Sequence, residues 1–522
     1  MTQVRQFFWQ AMQKLSLAKP KKHHFQGAVD AFIERVQRFP GTRRRVVTRG
    51  GVGVLVTPWM QTAVPLFSLE IARKLAAEGQ SVTLLWDSTN CFGNAANAWE
   101  IEQLERVMAA LREEFEIIRV DESLPAFGTE PAFFAEFVFE NAVQKTRGEK
   151  HAAEFLADNP ALVTSLRAHA SRVSELLRAR PLDWLFIPGG VWASSGIYGQ
   201  VATALGIAIT TYDCGPGALY LAHGGPAAQF PEVAVVTREV ELACQGDERE
   251  RQRLRAAVQA RLEGRMRGHD EYRLQPVEAS ASAGQSWDLV VPLNLRWDSA
   301  ALCRRRLFAS VKDWLQHLLA WVEKTPGVTV ALRQHPCERL ADLRGADDFQ
   351  TLLNDFPKLG ERARFFAAEE PVNTYDLLAG ARVILPFTSR VGIEAALFGK
   401  PAILSAHCYY GDCGFAAAPA SQDEYFALLA QALAGELPVS EEARFAANIA
   451  YYLAEECLEM KTPFTPAPTD YANWVRQSPD EIWNSPETQD LLRALITREP
   501  LVRIRYERQA GRTTTPHRAS VS

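Results

Sequence analysis

The chain has no run of about 18 apolar residues, which is what a membrane-spanning helix requires. Its N-terminus lacks the apolar stretch and small-residue cleavage site of a signal peptide. Eight cysteines are scattered with no CxxC pair, so a zinc ribbon is not expected and free thiols in a reducing cytosol are. Cys408, Cys413 and His407 lie close in sequence but supply too few ligands for zinc. No GxxxxGK[ST] loop is present, and Gly51-Val52-Gly53 precedes its strand rather than following it, so neither nucleotide fingerprint applies. There is no GxSxG elbow. There is no Asp-x-Asp either, which removes the usual carboxylate pair for a magnesium–nucleotide-sugar complex. A bound phosphate is therefore expected to rest on helix dipole and basic donors, with no metal and no cofactor. Lys+Arg 57 against Asp+Glu 62, a net charge of -5, gives no footprint for nucleic acid.

The 522 residues, 47% hydrophobic and 23% charged, fit a soluble globular protein of two or three domains. Residues 1–25 mix Phe7, Phe8, Trp9, Met12 and Leu15 with Lys14, Lys19, Lys21 and Lys22. Such a helix either makes a peripheral contact with a membrane surface or packs on the body of the protein; its short, moderately basic moment favours packing.

Strands alternate with helices through most of the chain. Strands are expected at Val52 to Thr57, Ser81 to Trp86, Asp183 to Pro188 and Ile207 to Thr211. Helices lie between them, and residues 95 to 180 are mainly helical. Residues 275–286 are small and polar and read as a linker. The βα rhythm then restarts, with strands at Asp288 to Leu293, Val328 to Arg333, Arg364 to Ala367, Arg382 to Phe387 and Ala402 to Leu404. A long helix is expected over Arg304 to Lys324, and 422–500 is helical. The fold class is α/β: two doubly wound Rossmann-like domains facing a cleft, with extra N- and C-terminal helices. The expected boundaries are a helical extension over 1–45, an acceptor-side domain over 46–274, the linker, a nucleotide-sugar domain over 287–435, helices over 436–500, and a disordered tail over 501–522.

The stretch from Ala381 to Pro401 is the most informative. It reads as a buried strand, the hydroxyl turn Thr388-Ser389, and a helix stopped by Gly399-Lys400-Pro401. Backbone N–H groups at such a turn suit phosphate oxygens. Glu394 stands in an otherwise apolar helix, where an unpaired charge is costly. Neither Gly392 nor Val391 completes a capping box, so a ribose diol is a plausible partner for that carboxylate. Arg333-Gln334-His335-Pro336-Cys337-Glu338 also follows a strand directly. Arg333 offers a fork of donors to phosphate, and His335 a hydrogen bond to a phosphate or leaving group. Asn294 and Asp298 follow the first strand after the linker and should meet the same crevice, where Trp297 either stacks on a base or packs. In the first half, Thr57 to Pro65 forms a strand-end loop, a natural acceptor-side position. Asp213 or His223 could be a general base on a sugar hydroxyl, or equally a turn residue.

Taken together, Arg333-x-His335-Pro336-x-Glu338, Tyr375-Asp376-Leu377-Leu378, Thr388-Ser389-x-x-Gly392-x-Glu394-Ala395 and Gly399-Lys400-Pro401 resemble the nucleotide-binding half of GT-B glycosyltransferases. The likeness is nearest to bacterial capsule polysaccharide biosynthesis proteins, including Kdo-transferase-like members. It is good over about 287–405 and weak over the first half. It implies that His335 and the Ser389/Thr388 turn contact the phosphate of a nucleotide-sugar donor and that Glu394 binds its ribose. It also implies a glycan or glycolipid acceptor and a cytoplasmic enzyme at the inner membrane face that builds capsule or lipopolysaccharide. Three other readings stay open: a nucleotide-sugar 2-epimerase-like enzyme, a CDP-polyol phosphotransferase, and a non-catalytic glycan-assembly protein. The glycosyltransferase reading requires the His335 imidazole and the Glu394 carboxylate to converge on a shared cavity facing the hinge. Side chains on opposite sides of the sheet, or a glutamate sealed against an internal arginine with no open space beside it, would count against it.

Overall fold

The computed structural model describes residues 18–41, 50–89, 98–120, 132–215, 218–269, 275–276, 284–304, 306–464 and 470–511. Most of the amphipathic stretch expected at 1–25 and the last residues of the expected tail lie outside these. The chain forms two compact units. One is drawn from Met1–Asn141, Asp158–Pro231 and Cys457–Ser522, the other from Ala142–Ala157 and Glu232–Glu456.

The strands among the described residues are β1 (Val52–Val56), β2 (Val82–Asp87), β3 (Glu116–Val120), β4 (Trp184–Pro188), β5 (Ala208–Gly215), β6 (Ala218–His223), β7 (Trp287–Pro292), β8 (Val330–Arg333), β9 (Ala363–Phe366), β10 (Ala381–Ile384) and β11 (Met460–Lys461). The first unit holds a seven-stranded sheet in the order β3-β2-β1-β4-β5-β6-β11. Its first five strands in that order are parallel, and β6 and β11 add antiparallel pairings at one edge. The second unit holds a parallel sheet in the order β9-β8-β7-β10. Both sheets begin in the middle, wind outward for three strands, and resume on the other side of the first strand. That is the doubly wound arrangement, and its order reverses between β1 and β4 and between β7 and β10.

Local sequence explains these elements. Every residue of β1 (Val-Gly-Val-Leu-Val) is buried, as expected of a parallel strand covered on both faces. The helix Val311–Lys324 buries Trp314, Leu315, Leu318, Leu319 and Val322 on one stripe. It is shorter than the expected 304–324 because Ser310 caps it, accepting from the Asp313 N–H at 2.9 Å, and because Arg306 bridges to Ala406 instead of continuing the helix. Two further corrections concern pairing. β3 interrupts the region read as mainly helical. β5 runs on to Gly215 because Asp213 and Cys214 pair with Tyr220 and Leu219 of β6.

The expected linker over 275–286 falls inside the second unit. The helix Glu248–Met266 ahead of it packs on the helix Glu441–Tyr452 of that same unit. Arg251 stacks 3.8 Å over the Phe445 ring and Arg255 pairs with Glu441 at 2.9 Å. The region expected as a single set of C-terminal helices is divided: Glu441–Tyr452 belongs to the second unit, and from Cys457 the chain builds the first. The expected disordered tail begins as an ordered helix, Leu501–Gln509. Its Leu501, Val502, Ile504 and Tyr506 are buried, and its Arg505 donates to the carbonyls of Cys457 and Glu459. Among the described residues no helix is long and apolar enough to cross a membrane.

A buried ion pair ties distant segments of the first unit together. Arg35, on the helix Ala18–Arg38, is fully buried and lies 3.3 Å from Glu70. It also donates to the Trp474 carbonyl at 2.7 Å and sits 4.7 Å over the Trp474 ring. Burial holds the Glu70 carboxyl above its usual range against the pull of Arg35. Arg35→Ala is expected to destabilise by about 3–5 kcal/mol, because it strands a buried carboxylate, while Arg35→Met with Glu70→Leu should recover most of the loss. Urea denaturation of the three proteins measures this.

Candidate functional site

The site is built at the carboxyl ends of β8, β7 and β10, neighbours in the second unit's sheet and spaced about 4.8 Å apart. Asn294 follows β7 and Thr388 follows β10, on the two sides of the strand-order reversal. Their side chains meet: the Asn294 amide donates to Thr388 Oγ1 at 3.2 Å, and the Thr388 N–H donates to Asn294 Oδ1 at 3.3 Å. Beyond Thr388 the chain turns into the helix Val391–Leu397, only 7 residues long. Its first N–H groups are already used. Val391 donates to Ser389 Oγ, Gly392 to the Ser389 carbonyl, and Ile393 and Glu394 to the Arg390 carbonyl. The helix end is therefore not the free anion site the sequence suggested. The N–H groups of Ser389 and Arg390, one step earlier, have no partner among the described residues. Gly392 is required here because a Cβ would lie 2.1 Å from the Tyr410 hydroxyl, whose O–H donates to the Ser389 carbonyl and pins the turn.

His335 stands two residues beyond β8. Its Nδ1 accepts from the Cys337 N–H at 3.2 Å and caps a short 3-10 turn. Burial and then the charge of Arg333 push its pKa down to about 4. The imidazole is neutral at pH 7, so its proton sits on Nε2, and that N–H has no acceptor among the described residues.

Arg333 and Glu338 do other work than expected. The Arg333 guanidinium is buried and its Nη groups donate to the carbonyls of Phe366, Ala367 and Val372, so it holds the β9 loop, while its Nε–H has no partner among the described residues. Glu338 accepts from Gln334 at 3.1 Å and from the Gly345 N–H at 2.9 Å, and closes its own loop. Asp298 is exposed and caps a turn through the Ala300 N–H at 2.8 Å. Trp297 lies under the Arg147 guanidinium, 5.2 Å from the ring centroid.

Glu394 is not the unpaired charge inferred from its apolar helix: it is buried against an internal arginine, which counts against a direct ribose contact. It accepts from the Tyr375 hydroxyl at 3.1 Å and pairs with Arg265 at 3.5 Å. Arg265 pairs in turn with Glu455 at 3.1 Å, where Arg261 and Arg390 also converge. Among the described residues three guanidiniums thus meet two carboxylates in this cluster. The Tyr451 hydroxyl beside them is buried and has no partner among the described residues. Burial, followed by the Glu394 charge, pushes its pKa up to about 12. An orphaned buried hydroxyl is a place for a ligand oxygen or an ordered water.

Arg265, Tyr451 and Glu455 were missed in the sequence. Arg265 sits in an arginine-rich helix that reads as a solvated face, and Tyr451 and Glu455 in a stretch with no motif. Among the described residues no group of three His, Cys, Asp or Glu could hold a metal ion.

The two general-base candidates of the first unit do not fit that role. His223 Nδ1 meets Thr210 Oγ1 at 2.9 Å and Nε2 meets the Glu499 carbonyl at 3.2 Å, so both ring nitrogens are engaged. Burial and Arg498 push its pKa down to about 4. Asp213 lies within β5 rather than in a loop, and its carboxylate caps the Cys214 N–H at 2.9 Å.

The lowered histidines make stability depend on acid. Between about pH 6.5 and 4 the unfolded chain holds protons that His335 and His223 refuse when folded, so stability falls as pH drops through that window. His335→Asn keeps a capping side chain and removes one titrating group. Its stability should fall less steeply from pH 6.5 to 4.5 than wild type, by a slope equivalent to about one proton, in denaturation midpoints across pH.

No family model matches the sequence, and no curated protein matches it. Among solved structures the chain is similar to the beta Kdo 2,7 transferase of Thermosulfurimonas dismutans KpsC, at 15% identity over 58% of this chain and 88% of that one, with a TM-score of 0.31. The beta Kdo 2,4 transferase of the same organism's KpsC gives 13% identity over 58% and 93%, with a TM-score of 0.34. UDP-GlcNAc 2-epimerase from Neisseria meningitidis, bound to UDP-GlcNAc, gives 10% identity over 77% and 98%, with a TM-score of 0.25. At such scores the reading of the site rests on this chain's own residues.

Proposed function

We propose that the protein is a glycosyltransferase that moves a sugar from a nucleotide-activated donor to a growing surface polysaccharide of capsule or lipopolysaccharide type, in the cytoplasm beside the inner membrane. One observation carries the reading. Hydrogen-bond donors with no partner among the described residues lie at the carboxyl ends of two strands of a doubly wound parallel sheet, β10 at the strand-order reversal and β8 on the other side of β7, the end at which such folds bind ligands. They are the Nε2–H of neutral His335 and the N–H groups of Ser389 and Arg390. Arg390, which follows Ser389 in that turn, reaches the cluster where Arg261 and Arg265 meet Glu455. Backbone and imidazole N–H donors left without acceptors fit a phosphate.

In this reading the Ser389–Arg390 backbone and His335 hold the donor's phosphate oxygens. As the glycosidic C–O bond breaks through an oxocarbenium-like state, the electron pair stays on the departing phosphate oxygen, and the same fixed donors stabilise it. His335 acts as a neutral hydrogen-bond donor rather than as an acid. Asn294 and Thr388 set the position of the turn. Glu394 is taken up by Arg265 and Tyr375, and the orphaned Tyr451 hydroxyl beside that cluster is the group left for a ligand oxygen. An acceptor hydroxyl attacks the anomeric carbon, and its proton passes to the departing phosphate oxygen, which has gained the electron pair of the broken C–O bond.

The test is a thermal-shift series with UDP, GDP, CMP, CDP and dTDP, followed by product analysis with the matching sugar nucleotide. One nucleotide should raise the melting temperature, since ligand at about 100 times Kd adds about 2.7 kcal/mol to the folded state. His335→Ala should reduce sugar transfer about 10–100-fold by removing one transition-state donor. No shift with any nucleotide would favour a non-catalytic assembly protein. Isomerised sugar formed without acceptor would point to an epimerase, and release of CMP from a CDP-polyol to a phosphotransferase.

A further inference from the structure

The first unit has its own strand-order reversal, between β1 and β4, and a different chemistry lies there. Trp59 follows β1 and Trp192 follows β4. Their rings meet with centroids 5.6 Å apart and planes at 55°. Both residues are half-buried rather than sunk in the core. Neither indole N–H has a hydrogen-bond partner among the described residues, and neither does the side-chain amide of Gln61. Met60 is 52% exposed beside them.

The protein holds this arrangement at a cost. Met60, Gln61 and Ala193 all have left-handed backbones, with φ of 54°, 57° and 53°, a conformation that costs a non-glycine residue of order 1 kcal/mol or more. Three such residues fall on the two loops that flank one reversal. Glu100 locks the first loop: its Oε1 accepts from the N–H groups of Trp59 and Gln61 at 2.8 and 2.9 Å. Gly189, with φ of 68°, lets the Trp59 indole lie across the end of β4, where a Cβ would come within 2.9 Å of the ring. Hydrophobic packing alone asks for none of this, because packing would seal the indoles and pair their N–H groups.

We infer that Trp59 and Trp192 form a stacking platform for a pyranose ring of a glycan, with the two indole N–H groups and the Gln61 amide as partners for its hydroxyls. A pyranose presents one face of C–H groups and a rim of hydroxyls, and partly exposed indoles with free N–H donors match both. The platform belongs wholly to the first unit, and the inference does not depend on the nucleotide reading of the second.

The test is binding of the full-length protein to an array of immobilised bacterial surface oligosaccharides, followed by tryptophan-fluorescence titration with the best glycan found. Wild type should bind, with a change in indole emission. Trp59→Ala and Trp192→Ala should each weaken binding about tenfold, as expected for loss of one aromatic stacking partner. Trp59→Phe, which keeps a ring and disturbs the loop least, should weaken it less than Trp59→Ala at an unchanged melting temperature. Absence of any glycan binding by wild type, or glycan binding that survives all three substitutions, would overturn the inference. The nucleotide shift, measured in the same samples, reports separately on the second unit.

Discussion

The candidate site depends on the reversal of strand order between β7 and β10. A parallel sheet that winds away on both sides of its first strand sends the two central crossovers in opposite directions, so the loops at that point diverge and leave backbone groups uncovered. In this chain one side chain spans the gap. Asn294 uses its carbonyl oxygen on the Thr388 N–H and its amide on the Thr388 hydroxyl. The turn that follows is thereby fixed, with Tyr410 holding its far side through the Ser389 carbonyl. The N–H groups of Ser389 and Arg390 have no partner among the described residues, and a turn fixed from both sides is the condition for binding an anion without a reorganisation cost.

Electrostatics at the site works at one remove. Arg333 stands where a phosphate grip is expected, yet its Nη donors are used on three carbonyls. It acts through its charge, which with burial keeps His335 neutral. A neutral ring can accept from Cys337 through Nδ1 and still present Nε2–H outward; a protonated ring would give up the first bond and loosen the turn. Arg261, Arg265 and Arg390 are likewise paired, on Glu394 and Glu455, which keeps them from being an unshielded cluster of buried cations.

The fold was legible because parallel strands buried on both faces leave apolar runs that need no partner information to recognise. β1, β4, β7 and β8 appear close to where those runs lie, and Gly206 and Gly399 mark helix ends as expected. Pairing was less legible. Whether Asp213 ends a strand or continues one is decided by Tyr220 across the hairpin, and whether 304–310 is helical is decided by Ala406. The site was legible in position and not in role. Strand ends named His335, Asn294, Thr388 and Ser389, but residue type cannot say whether a donor is spent. His223 and His335 are both histidines depressed by burial next to an arginine. One has both nitrogens engaged and the other has one open. That difference arises entirely from contacts made by residues far away in sequence.

The two units share one strand order and diverge at the point that order leaves open. In the second unit the loops after β7 and β10 carry Asn, Thr and Ser, whose short polar groups expose backbone donors. In the first, the loops after β1 and β4 carry Trp59 and Trp192, which cover the same position with aromatic surface. The sheet cannot be the cause, since its geometry is common to both. What differs is a few loop residues and the side chains that fix them, Asn294 in one unit and Glu100 in the other. Each anchoring group satisfies backbone N–H groups that would otherwise be orphaned, and in doing so decides which groups remain for a ligand. A fold that repeats its scaffold can thus hold a charged phosphate at one reversal and an uncharged sugar face at the other, because specificity resides in the loops and in the residues that hold them.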